Sequence, residues 1–121
     1  MANFDSGVSG FTKAVAIVEV AFPVDWLYGY IVSLIAATRH HKSFALGASP
    51  RASVALMHLA QAYAYLRGRD YVVPDDIAAL YAPAVSHRVM LTQESKLAGR
   101  SVFDVLRDIL RATDVPYLGA H

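Results

Sequence analysis

The sequence has no cysteine, a single tryptophan and no surplus of charge, with eleven Lys and Arg against ten Asp and Glu in 121 residues for a net charge of +1 with His neutral. Without cysteine there is neither a disulfide nor a thiolate metal site, which suits a reducing compartment and makes the cytoplasm the expected location. A charge near zero provides no general field for nucleic acid or an anionic membrane surface, so any anion site must be local. Long apolar runs are missing as well. The stretch from Val15 to Ala37 is broken by Glu19, Pro23 and Asp25, and its uncharged remainder, Trp26 to Ala37, is too short to span a bilayer. A signal peptide's basic start is absent, since Lys13 is the only basic side chain before the apolar run and Asp5 precedes it. What is present is apolar character: 55% of residues are hydrophobic and the mean hydropathy is +0.35. That is high for a freestanding domain of this size, so part of the surface is expected to face a partner.

Residues 1–14, with Gly7, Ser9 and Gly10, read as a flexible leader, and 15–121 as one domain. The β-branched run Val15 to Phe22 stops at Pro23 and reads as an extended arm or short strand. Leu27, Ile31, Leu34, Ile35 and Thr38 recur at helical intervals, widened by Trp26 and Tyr30, and predict a first helix over about 24–39. Arg39 to Gly47 shows no period and reads as an exposed loop. A second helix follows Ser49, with Ala52, Ala55, Leu56, Leu59, Ala62, Tyr63 and Leu66 on one face and Gly68 as its stop. Tyr71-Val72-Val73 is a short extended piece before Pro74, where Asp75 and Asp76 suit a helix start. The third helix carries Ile77, Leu80, Tyr81, Ala84 and Val85, with a kink or break expected near Ala82 because of Pro83. Val89-Met90-Leu91 reads as a strand that could pair with 71–73, and 92–100 as loop. Ser101 caps a last helix with Val102, Phe103, Leu106, Ile109 and Leu110 inward and Arg100, Asp104, Arg107, Asp108 and Arg111 outward, ending before Pro116. The expected architecture is all-α, a four-helix bundle with one or two very short strands.

The run Gly47-Ala48-Ser49-Pro50-Arg51-Ala52 carries the clearest chemical signal. Ser49 is a favoured N-cap and Pro50 suits a first helical position, so Arg51 projects from a helix start whose free N–H groups and dipole attract anions. A bare Ser-Pro-Arg triplet more often only caps a helix, and its arginine only pairs with a nearby carboxylate. His40, His41 and Lys42 beside Arg39 lack a third ligand in sequence and read as solvated rather than as a metal site. His87 and Arg88 suit the end of the third helix, with Arg88 a candidate partner for Asp70, Asp75 or Asp76. Arg67 and Arg69 are placed to bond the last carbonyls of the second helix, and Arg39 and Arg69 are also candidates for a subunit interface. Asp75 and Asp76 have no adjacent nucleophile or histidine and read as capping residues. Tyr63, Tyr65 and Tyr71 read as core or rim.

Five blocks in order, Tyr30-Ile31-Val32, Ala37-Thr38-Arg39, Gly47 to Ala52, Gly68 to Asp76 and His87-Arg88, resemble the C-terminal lid domain of MoxR-family AAA+ ATPases over roughly residues 18–115. The resemblance implies that Arg51 is the sensor 2 arginine, with Ser49, Pro50 and Arg51 at the nucleotide, acting on its own subunit's ATP or a neighbour's. It further implies ATP and Mg2+ in an intact protein, an N-terminal AAA+ core as partner, a homo-oligomeric ring such as a hexamer, chaperone-like work on client proteins, and a von Willebrand A domain protein as a partner. The sequence itself has no G-x-x-x-x-G-K-[ST] phosphate loop and no apolar strand ending in paired carboxylates, so the chain resembles the lid without its ATPase core and should not hydrolyse ATP alone. The alternative is a helical nucleic-acid-binding or protein-interaction module, since helix, turn and helix around Gly68 to Asp76 outline a helix-turn-helix. Asp70, Asp75 and Asp76 crowd the would-be reading helix and count against nucleic acid as the partner.

Overall fold

In the computed structural model, residues 24–115 are described. The leader over 1–14, the arm over 15–22 and Pro116 lie outside them. Helix α1 (Val24–His40), strand β1 (Phe44–Leu46), helix α2 (Arg51–Leu66), helix α3 (Pro74–Val85), a 3-10 turn (Ser86–Arg88), strand β2 (Met90–Leu91), helix α4 (Gln93–Leu97) and helix α5 (Val102–Ala112) follow in order. The fold is an all-α bundle, with α4 as a fifth, single-turn helix and a two-stranded antiparallel sheet at its side. No helix among the described residues is long and apolar enough to cross a membrane.

The core is shared by α1, α2, α3 and α5. Leu27, Tyr30, Ile31, Leu34 and Ile35 from α1 meet Ala52, Leu56, Met57, Ala60 and Ala64 from α2, Ile77, Tyr81, Ala84 and Val85 from α3, and Val105, Leu106 and Ile109 from α5. The Tyr81 hydroxyl, fully inside, donates to the Leu34 carbonyl at 2.7 Å and ties α3 to α1. Burial, helped by nearby Tyr30, pushes this phenol far above its ordinary value of 10.0.

Several expectations are corrected. The α2 face that turns inward runs through 52, 56, 60 and 64, whereas Leu59 and Leu66 are 39% and 83% exposed and Ala62 is also outside. Apolar residues occur all round this helix, so periodicity did not select a side; the buried side carries the small Ala52, Ala60 and Ala64, which suit close packing of helices. Phe103 likewise sits outside, at 54% exposure, because the buried row of α5 starts at Val105. Strand β2 pairs with β1, Phe44 opposite Leu91 and Leu46 opposite Met90 across an irregular register, and not with 71–73. The segment expected to be loop thus contains β1. The peptide N–H of Val73 is instead committed to the Asp76 carboxylate at 2.9 Å, which removes it from any ladder.

Pro83 does not break α3, which continues to Val85 before tightening into the 3-10 turn. So close to the helix end, the missing N–H removes only one bond of the last turn. The stretch 92–100 holds α4, started by Thr92, whose hydroxyl accepts from the Ser95 N–H at 3.1 Å. Gly99 and Gly68, at φ +79° and +82°, end α4 and α2 in the left-handed conformation. In each case the following N–H reaches back five residues, Arg100 to Ser95 and Arg69 to Ala64, as in a Schellman motif.

Helix α5 begins as expected. The Ser101 hydroxyl accepts from the Asp104 N–H, and the Asp104 carboxylate accepts from the Ser101 N–H at 3.0 Å. These bonds, with smaller help from Arg107 and Arg100, hold the Asp104 carboxyl below its ordinary 3.8. The Arg100 hydrogen bond lowers Asp108 likewise.

Two measurements test this account. A depressed carboxyl value means stabilisation that is present above the unfolded value and lost as pH falls through the folded one. The Ser101 amide shift should therefore titrate with a midpoint below 3.8; a midpoint at or above that value would remove the capping bond from the explanation. For the glycines, a Cβ on Gly47 would lie 2.5 Å from the Arg39 Cα, against backbone, while one on Gly68 meets nothing within 4 Å. In urea unfolding Gly47→Ala should cost about 2 kcal/mol or more and Gly68→Ala about 1 kcal/mol. The reverse order would contradict the close approach.

Candidate functional site

The chain enters α2 through a tightly held corner. Thr38, buried in the last turn of α1, donates its hydroxyl to the Ile35 carbonyl at 2.7 Å and accepts from the Ala48 N–H at 2.9 Å. The neighbouring Arg39 donates Nη1 to the Ala48 carbonyl at 3.1 Å. Consecutive residues of α1 therefore grip both polar ends of Ala48, itself fully buried. Gly47 is required because a Cβ there would fall within 2.6 Å of the Thr38 and Arg39 backbone.

Ser49 does not cap α2 as expected. Pro50 already has helical angles (φ −56°, ψ −24°), and the first bonds run from the Ala52 N–H to the Ser49 carbonyl and from the Ser53 N–H to the Pro50 carbonyl. Among the described residues the exposed Ser49 hydroxyl makes no hydrogen bond. The helix start is set by the Ala48 grip and by burial of Ala52, and its outer N–H groups keep no side-chain acceptor. Arg51 is the first residue of the helix, exposed, and among the described residues its guanidinium forms no hydrogen bond or ion pair. An arginine held by a rigid backbone with its donors unspent can bind a phosphate or carboxylate oxygen brought to it. Ser49, Pro50 and Arg51 are brought together at this corner.

The other sequence candidates have structural employment. Arg69 forms a two-pronged pair with Asp76, Nη1 to Oδ2 at 2.7 Å and Nη2 to Oδ1 at 2.6 Å, and Nη1 also reaches the Tyr71 carbonyl at 3.1 Å. The Asp76 hydrogen bond raises the guanidinium above its ordinary value. Asp76 caps α3 as expected, but its second role, as the buried partner of Arg69, was missed. A spacing of seven residues around a Gly-Arg turn was the signal that could have found it. Arg69 thus bonds Asp76 and not the ends of α2, and Arg67 lies over the Tyr63 ring, donating to its hydroxyl at 3.3 Å. Arg88 donates Nε to the Ala84 carbonyl at the end of α3 at 3.1 Å and not to an aspartate, Asp76 being already taken. Tyr63 and Tyr71 are half-buried and Tyr65 exposed, a rim rather than a core.

His41 accepts from the Ser43 N–H through Nδ1 at 3.0 Å and packs at a tilt near Phe44, so it shapes the turn into β1. His40 and Lys42 are exposed. Among the described residues no three His, Asp or Glu side chains converge as a metal site. An open hollow of about 230 Å³ lined by Trp26, Tyr30, Ser33, Asp114 and Val115 involves the first half of α1, away from Arg51.

Comparison with known proteins agrees with this architecture. Residues 36–109 match the family model described as the AAA lid domain. Among curated proteins, the uncharacterized protein YeaC of Bacillus subtilis is 48% identical over 92 residues, covering 76% of this chain and 29% of that protein. The chaperone MoxR1 of Mycobacterium tuberculosis is 32% identical over 103 residues, covering 78% of this chain and 27% of that protein. The chain therefore spans less than a third of these relatives. A crystal structure of a protein from Cytophaga hutchinsonii, provisionally assigned as an ATPase, superposes with a TM-score of 0.69 at 32% identity, over 75% of this chain and 30% of that one.

The Arg69–Asp76 pair yields a stability test. Asp76 is 1% exposed and Arg69 24%. Arg69→Met should cost about 3 kcal/mol at neutral pH, more than Asp76→Asn, because it leaves a buried carboxylate uncompensated. The double variant should lose clearly less than the sum in urea unfolding. Additive losses would mean that the two side chains stabilise the turn independently.

Proposed function

This chain belongs to the AAA lid domain family, and we propose that it serves as the lid of a MoxR-type AAA+ ATPase, supplying Arg51 as the sensor 2 residue to an ATP site built by a core domain. The observation that carries the reading is an exposed guanidinium with no partner among the described residues, at the first position of a helix whose backbone start is anchored. Phosphoryl transfer places negative charge on the outer phosphate oxygens. A fixed guanidinium on a separate body stabilises that charge and registers whether the γ-phosphate is there. When hydrolysis removes the phosphate the contact is lost, and the lid relaxes as a rigid body relative to the core.

ATP and Mg2+ are then the cofactors of the protein as a whole, the magnesium held by the core, since the described part of this chain has no clustered ligands for it. The setting proposed is cytoplasmic, in a homo-oligomeric ring such as a hexamer, with Arg51 acting in its own subunit or on a neighbour's nucleotide. The output is chaperone-like remodelling or activation of a client, a reading supported by the relative named a chaperone. A von Willebrand A domain protein fits as partner. The apolar side chains left outside the bundle, among them Leu59, Tyr65 and Leu66 of α2, suit cover by the core or an adjacent subunit. Arg39 and Arg69 remain proposed contributors to that interface through the donors they have to spare.

The test is Arg51→Ala in the ATPase assembled from this lid and its core. The melting temperature should stay within a degree or two, because an exposed first-turn side chain contributes little. Turnover should fall by about 100-fold, the scale for losing one charged donor to the transition state. Unchanged hydrolysis would remove Arg51 from the ATP site.

A further inference from the structure

The corner before Arg51 is over-built for a connection. A loop that only joined α1 to α2 would not need both the N–H and the C=O of one buried peptide held by successive side chains, or a glycine pressed onto helix backbone. Ala48 lies three residues before Arg51, and the carbonyls of Ser49 and Pro50 between them accept from the N–H groups of Ala52 and Ser53, with Pro50 already at helical angles. Between the grip and the Arg51 Cα, the Ser49 carbonyl is hydrogen-bonded and the Pro50 ring fixes its φ. Ala52, on the far side, is fixed by burial.

We propose that Thr38 and Arg39 are positioning residues for Arg51, locking the end of α1 to the start of α2 so that the Arg51 Cα is presented at a fixed place and only its side chain has to be ordered on a phosphate oxygen. This rests on the reading of Arg51 as the phosphate-sensing residue. The two side chains divide the work by burial. Thr38 is inside and satisfies the Ala48 N–H, which would otherwise be a buried donor without an acceptor. Arg39 is exposed, but its Nη1 satisfies the buried Ala48 carbonyl, so it fixes the orientation of that peptide and its loss also costs some stability. Displacement of a catalytic donor by a fraction of an ångström is costly to rate and nearly invisible to stability.

The experiment is a double-variant cycle on ATP hydrolysis in the ATPase assembled from this lid and its core, with thermal melting followed in parallel. Arg39→Ala should lower kcat about tenfold, read at a temperature where the variant remains folded, and lower the melting temperature by a few degrees at most. In an Arg51→Ala background the same substitution should lower kcat no further, because the residue it positions is gone. Thr38→Ser, which keeps the hydroxyl, should retain turnover. Thr38→Val should lose turnover in the Arg51 background alone, judged at a temperature where the variant remains folded. If Arg39→Ala is without effect while Arg51→Ala is slow, or costs the same factor in both backgrounds, Arg39 does not act through Arg51 and the positioning role is overturned. If Arg51→Ala is itself as fast as the parent, the sensor reading has failed and the positioning role falls with it, an outcome distinct from the other two.

Discussion

The peptide of Ala48 is held from both sides by the last turn of α1, and the order of the bundle depends on that grip. Thr38 takes its N–H, Arg39 its C=O, and Gly47 lies so close to the α1 backbone that no side chain fits there. Because the chain is pinned at this point, β1 must run back along the end of α1, where it meets β2, and α2 must leave in a set direction. Burial explains why the arrangement is stringent. Ala48 is out of reach of water, so each of its polar groups needs a protein partner. Two hydrogen bonds from adjacent side chains satisfy both at once.

The other end of α2 is fastened by different chemistry. Gly68 turns the chain in the left-handed region, and Arg69 then closes on Asp76, whose carboxylate also accepts from Val73 at the start of α3. A buried carboxylate costs too much to leave unpaired, so the turn between α2 and α3 has one arrangement that meets every requirement. With both ends fastened and its Ala52–Leu56–Ala60–Ala64 row against the core, α2 is tied to the bundle along its length. That is the property a lid needs if the presence or absence of one phosphate is to move an entire domain. The Arg51 guanidinium has no partner among the described residues, which separates it from Arg69, whose charge is paired with Asp76, and from Arg39, which donates to the Ala48 carbonyl.

The four long helices were legible from apolar spacing in residues such as Leu27, Ile31 and Leu34, and the starts at Ser101 and Pro74 from capping chemistry. The candidate corner was legible too, as Gly-Ala-Ser-Pro-Arg, although Ser49 was assigned a cap it does not make. What escaped the sequence were features set by neighbours distant in the chain. Helix α2 is apolar on several sides, so Leu59 and Leu66 looked as inward as Leu56. Met90-Leu91 could have joined any nearby extended piece, and its pairing with β1 followed from where the Ala48 grip placed that strand. Helix α4 is five residues long, too short to leave a period, and was marked only by Thr92 and Gly99.

By itself, the sequence determined the helical class, the absence of disulfides and of a phosphate loop, and the ordered blocks that place Arg51 at the start of a helix. These depend on local periodicity, on residue chemistry and on short motifs, all of which are written in consecutive residues. Tertiary structure decided which arginines keep their donors and which give them up, which face of α2 is core, and what holds the corner rigid. Those answers depend on contacts between residues far apart in the chain, 47 positions in the case of Tyr81 and Leu34. Burial there turns an ordinary hydroxyl or carboxylate into a group that must find one particular partner, and no pattern in consecutive residues records which partner is in reach.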